Sequence, residues 1–142
     1  GLQPVSKKPA PSPAIQLGTT REITAPAGSA TAGSRWIQID VSYQNNSAKS
    51  FWVWGYSASS PFHGTETRPG KEDEWKDYGT GFCGTGVGAF EIRPGDKHTF
   101  NVALPEKYEA SEVRVLLHYY LDSSTNNPRQ VKLAPIKLVV NG

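Results

Sequence analysis

The chain has 142 residues, 37% hydrophobic and 11% aromatic, with 15 Lys+Arg against 13 Asp+Glu and a net charge of +2. That length suits one domain plus a tail, with a core large enough to need no metal or disulfide staple. The basic residues are scattered, with Lys7-Lys8 the one adjacent pair, which argues against the concentrated basic face of a nucleic-acid binder.

Residues 1–13 carry Pro4, Pro9, Pro11 and Pro13 among Ser, Ala and Lys, a composition that favours extended polyproline-like chain. They read as a tether, and residues 14–142 as a single folded domain. Methionine is absent even at position 1, which reads as a chain whose leader or lipid anchor has been removed. No apolar run approaches the ~18–20 residues that span a bilayer, so any membrane link runs through an anchor outside the visible chain. With the tether, this points to an extracytoplasmic location, periplasmic or at the cell surface.

Ala14–Thr24, with Ile15, Leu17 and Ile23, reads as a first strand, and Ala25–Ser34 as loop. Trp36–Tyr43 alternates most strongly, placing Ile37, Ile39, Val41 and Tyr43 on one face and Gln38, Asp40 and Ser42 on the other. Gln44–Ser50 is a polar turn in which Asn45-Asn46-Ser47 fits the glycosylation sequon and an Asx-rich turn equally well. Phe51–Ser57 follows as the expected hairpin partner, with bulk on both faces: Phe51 and Val53 on one, Trp52, Trp54 and Tyr56 on the other.

The middle, Ala58–Val87, is heavily punctuated by Gly and Pro, with short edge strands expected near His63–Arg68 and Trp75–Tyr78. Gly88–Ile92 is a strand leading to Pro94-Gly95, where Pro presets φ and Gly tolerates the positive φ of a type II turn. Lys97–Leu104 then points Phe100, Val102 and Leu104 to one core. Glu112–Leu121 turns Val113, Val115, Leu117 and Tyr119 inward. Gln130–Val140 is the last strand, placed at an edge or bulge by Pro135. About seven to nine short strands with turns between them spell an all-β, immunoglobulin/fibronectin-like antiparallel β-sandwich.

None of the chemical motifs converges. Gly79-Thr80-Gly81-Phe82-Cys83-Gly84 matches the dinucleotide fingerprint as a string, but no helix N-terminus follows to aim amides at a pyrophosphate. The lone Cys83 forms no intrachain disulfide, and a nucleophilic role needs a histidine within reach; His98 and His118 fall on polar-facing positions. Glu72, Asp73, Glu74 and Asp77 offer oxygen ligands to Ca²⁺ but read as a solvated acidic loop. The expectation is no catalytic residue, no metal and no cofactor.

The aromatic row carries the functional question. Trp52, Trp54 and Tyr56 at i, i+2 and i+4 form a line about 13–14 Å long on one strand face, which Trp36 and Trp75 could extend. Core packing is the default reading for such a row, with Phe51 and Val53 then looking outward. Exposed, Trp52, Trp54, Tyr56 and Trp75 become the candidate ligand-binding residues, for a protein partner or a carbohydrate.

On Gln44–Val53 and Ile92–Pro105 the chain resembles bacterial immunoglobulin-like accessory domains, in which an N-x-S-x-K turn precedes a Pro-Gly-x-x-x-x-Phe strand. The bacterial intracellular proteinase inhibitor fold shares that layout. The resemblance covers Arg35–Asp122 and rests on structural turns, so it transfers no functional residue. It implies a non-catalytic accessory module that docks onto a protein partner in an envelope assembly. Carbohydrate binding through surface tryptophans is one alternative. Protease inhibition by a loop, Ala58–Gly70 or Gly79–Gly88, is another.

Overall fold

A computed structural model describes residues 11–25, 27, 28, 30, 32–78 and 85–140. Eleven strand segments follow in order: β1 (Pro13–Thr24), β2 (Arg35–Asn45), β3 (Phe51–Ser57), β4 (Ser60–Pro61), β5 (His63–Arg68), β6 (Lys76–Asp77), β7 (Gly88–Ile92), β8 (Lys97–Pro105), β9 (Glu112–Tyr119), β10 (Arg129–Lys132) and β11 (Ile136–Lys137). The described residues include no α-helix, only one 3-10 turn at Glu106–Tyr108. Every pairing is antiparallel, and the architecture is all-β and sandwich-like.

One layer is β1-β2-β8. The other joins two pieces, β4-β3-β7 and β10-β9-β5-β6, with β11 also on β9. The run from Ser60 to Arg68 links them by changing partner, from β3 at Pro61 to β9 at His63. Trp52 and Tyr120 complete the seam by exchanging backbone hydrogen bonds, both 2.8 Å. The last strand breaks into β10 and β11 around Pro135, which has no N–H to offer the ladder.

The core lies between the layers. Ile37, Ile39, Val41 and Tyr43 of β2 are fully buried, with Phe100, Val102 and Leu104 of β8 beside them. Facing them are Phe51, Val53, Ile92, Val113, Val115, Leu117 and Tyr119. Phe51 ties the layers together, its ring 6.4 Å from Tyr43 and edge-on to Tyr119 at 5.8 Å. Burial, then the charge of Asp96, pushes the Tyr43 phenol far above its ordinary range, and its hydroxyl donates to the Ala58 carbonyl.

Two expectations are overturned here. The hairpin between β2 and β3 does not form: β2 pairs with β1 and β8, whereas β3 pairs with β4 and β7. The chain crosses between layers after Asn45 and again at Pro94-Gly95, and the buried Asn45 fastens the two crossings together. Its Nδ2 donates to the carbonyls of Lys49 at 2.8 Å and Ile92 at 2.9 Å. Its own N–H donates to Asp96 O at 3.0 Å, and its carbonyl accepts from Gly95 N–H at 2.7 Å. The second reversal concerns β3 itself. Phe51 and Val53 are the buried pair, so the Trp52-Trp54-Tyr56 row faces outward, not into the core.

Other local readings match the structure. Gly95 has φ +87, and Asp96 N–H bonds Arg93 O at 3.0 Å, closing the expected Pro-Gly turn. In β1 a register shift between Leu17 and Thr20 flips the strand. Ile15 and Leu17 consequently pack on the core, while Ile23 lies opposite Trp36.

Candidate functional site

The outer face of β3 is held open by its neighbours. Trp52 lies opposite Glu91 of β7 and Trp54 opposite the small side chain of Ala89. Both indoles are half-buried and Tyr56 is 40% exposed. Ser50 Oγ donates to Glu91 Oε2 at 2.7 Å, and Arg93 Nε stands 4.0 Å from the same oxygen, so a charged rim borders the aromatic strip. Gly55 makes the strand's return possible: a Cβ there would sit 2.3 Å from Ser60 O.

The strip continues beyond β3 in a way the sequence reading missed. Tyr120 lies beside Trp52 across the seam, on the same side, because Tyr119 points into the core. Next along β9, His118 packs on Phe62 with ring centroids 5.3 Å apart. The Tyr119-Tyr120 doublet was the available signal: alternation requires one of the two to face out.

Trp75 is not part of this strip. It covers two guanidiniums, Arg68 at 4.3 Å and Arg114 at 4.4 Å from its ring centre. Each arginine is also paired with a directly opposite carboxylate, Arg68 Nε to Glu112 at 2.6 Å and Arg114 Nε to Glu66 at 2.7 Å. These side chains are only 13% to 23% exposed, so Trp75 pins its loop onto a half-buried charge ladder. Arg114 and Tyr120 are six residues apart, about 20 Å along the strand direction. Trp36 lies on the opposite outer face of the molecule, in β2. The structure thus brings together Trp52, Trp54 and Tyr56, and leaves Trp75 and Trp36 elsewhere.

The remaining candidates disperse. Asn45 of the sequon is fully buried with its Nδ2 twice bonded, so it is no glycan acceptor in the folded protein. His98 is not on a polar face: it shares the inward side of β8 with Phe100 and lies 5.7 Å from Tyr43. His118 does face outward. Burial, then the charge His63 would carry, lowers its pKa. His63 points inward at the changeover between β4 and β5, its ring 4.7 Å from that of Phe100. Burial lowers its pKa, opposed by the bond between Nδ1 and Pro61 O at 2.8 Å. Cys83 and the fingerprint run 79–84 lie outside the described residues. Lys71, Glu72, Asp73 and Glu74 are all exposed, and no group of three or more His, Cys, Asp or Glu could hold a metal among the described residues. Ala58–Gly70 is no projecting inhibitor loop, since β5 lies between β6 and β9.

One cleft of about 410 Å³ opens between β8 and the β3–β4 turn, lined by Tyr56, Ser60, His63, Thr99, Phe100 and Asn101, among others.

Comparison with known proteins speaks to the fold alone. No protein-family model matches the chain, and no curated protein does. Among solved structures, the chain is similar to a Bordetella pertussis protein provisionally assigned as ApaA, at 14% identity and a TM-score of 0.58, covering 92% of this chain and 94% of that one. It is equally similar to a structural-genomics target designated SoR45, at 11% identity and a TM-score of 0.58, covering 92% and 89% of the two chains. Both share the all-β fold.

Proposed function

We propose that this chain is a non-catalytic binding module that docks onto a protein partner through the outer strip Trp52-Trp54-Tyr56. In this reading it is an immunoglobulin/fibronectin-like sandwich working as an accessory subunit in the bacterial envelope, as its resemblance to such accessory domains suggests. The observation that carries the reading is the orientation of β3, which commits Phe51 and Val53 to the core and turns two tryptophans and a tyrosine out. Large aromatics ringed by polar and charged groups have the anatomy of a protein interface, and Trp and Tyr supply most of the energy in such patches. The Ser50–Glu91–Arg93 rim fits that pattern.

The test is a photoreactive phenylalanine analogue placed at Tyr56, irradiated in cells. A discrete adduct that vanishes in Trp54→Ala, with folding intact, supports docking; an adduct pattern unchanged by that substitution removes it. The second reading is carbohydrate binding on the same strip, favoured by indoles two residues apart, about 7 Å, on an open strand face. Polysaccharides that quench tryptophan fluorescence in the wild type but not in Trp54→Ala would move the assignment to that class.

A further inference from the structure

We propose that the cleft between β8 and the β3–β4 turn binds an extended segment of another polypeptide, which adds a strand to the open edge of β8. Among the described residues β8 pairs only with β2. The bond from Asn45 N–H to Asp96 O closes the ladder next to Gln44 and Lys97 and so marks 44 and 97 as a non-bonded pair. Bonded and non-bonded pairs alternate along an antiparallel ladder. His98, Phe100, Val102 and Leu104 therefore spend their backbone groups on β2, while Lys97, Thr99, Asn101 and Ala103 turn theirs away from it. The 3.0 Å contact between Ser42 Oγ and Thr99 Oγ1 agrees, because side chains approach closest across non-bonded pairs.

Among the described residues this edge lacks the usual protection. Its register with β2 runs unbroken from Trp36–Pro105 to Gln44–Lys97, with no bulge. Its one lysine and its one proline stand at the two ends. Facing the edge is a wall that exists because Ser60–Arg68 changes partner there. The cleft between them falls within the ~300–1,000 Å³ of ordinary ligand sites. Its described lining holds hydroxyls, an amide and aromatic rings, with no carboxylate, lysine or arginine.

The chemistry of the site selects its occupant. Main-chain donors and acceptors repeating along a strand are matched by another extended backbone. His63 adds a side-chain preference. Its Nδ1 is held by Pro61 O, so that nitrogen carries the proton and Nε2 stays a lone-pair acceptor on a residue lining the cleft. The segment is thus uncharged where it enters the cleft, with a hydroxyl or amide donor such as Ser, Thr or Asn against His63. Only Tyr56 is shared with the β3 strip, so this site stands whether or not that strip docks a partner.

The experiment pans a phage-displayed random heptapeptide library against the whole chain and titrates the enriched synthetic peptide by NMR. The peptide is expected to shift the Thr99 and Asn101 amides and to slow their hydrogen exchange. Asn101→Pro, which deletes an outward N–H and leaves the β2 ladder intact, should weaken binding at least roughly tenfold. Ser60→Trp, which fills the cleft from the exposed wall, should do the same and covers the case in which the proline variant misfolds. Enrichment of no peptide overturns the proposal, as does protection of the Thr99 and Asn101 amides in the free protein. A peptide that shifts Trp52 and Trp54 and leaves β8 untouched also overturns it, and would favour the β3 strip instead.

Discussion

The two outer faces of this sandwich obey different rules. Along the middle of the β1-β2-β8 layer the outward positions Gln38, Asp40, Ser42, Thr99 and Asn101 are polar, with Ile23 and Trp36 paired at one end, and Gln38, Asp40, Ser42 and Thr99 bond one another or β1. Arg21 pairs with Asp40 at 2.9 Å, and Gln38 Nε2 approaches the same carboxylate at 3.4 Å. On the other layer the outward positions around the β3–β9 seam, Trp52, Trp54, Phe62, His118 and Tyr120, are aromatic, and farther along β5 and β9 they give way to the ladder of Glu66, Arg68, Glu112 and Arg114. A sandwich of this size can close its core beneath a polar exterior, and the docking proposal rests on the aromatic bulk at the β3–β9 seam.

That contrast breaks most directly at β3. Phe51→Ala should destabilise by about 3–5 kcal/mol in urea unfolding, as a buried aromatic truncation does, while Trp54→Ala should cost under about 1.5 kcal/mol. Equal losses would mean that the strip is structural. Next in size is Asn45→Ala, which strands the buried carbonyls of Lys49 and Ile92. A loss of about 2–3 kcal/mol is expected, whereas Asn46→Ala, at an exposed position, should sit within about 0.5 kcal/mol of wild type. A double-mutant cycle between Arg114→Ala and Trp75→Ala sharpens the distinction between Trp75 and the strip. Coupling of about 0.5–1 kcal/mol is expected, against none between Arg114→Ala and Trp54→Ala.

The smallest effect is on pH. Burial keeps His63 and His118 below their unfolded pKa, so below about pH 6.5 the unfolded chain binds protons that the folded one resists. Stability should therefore fall as pH drops from 7.5 to 5.5, a window above ordinary carboxylate titration. The melting temperature should show that slope, and His63→Gln with His118→Gln should flatten it.

How much was legible follows the same contrast. In β2 the outward residues from Gln38 to Gln44 are polar, and period two alone placed Ile37, Ile39, Val41 and Tyr43 in the core. In β3 both faces are bulky, so alternation identified the two sets without saying which was buried. Turn chemistry was equally local: Pro94-Gly95 announced its own conformation. Its consequence was not local, because a tight turn joins strands of one sheet or crosses between two according to what each strand packs against. The Asn45 turn shows this, since its polar residues read locally as a sequon or an Asx turn, whereas Asn45 is the buried fastener between layers.

Strand positions, turn types and the set of apolar residues belonged to the sequence itself, because φ restrictions and period-two alternation act within a few residues. Which face of β3 is inside, which edge of β8 takes β2 and where His63 meets Phe100 were decided only when the layers packed. Those features depend on contacts between residues far apart in the chain, and alternation along one strand carries no information about what lies opposite.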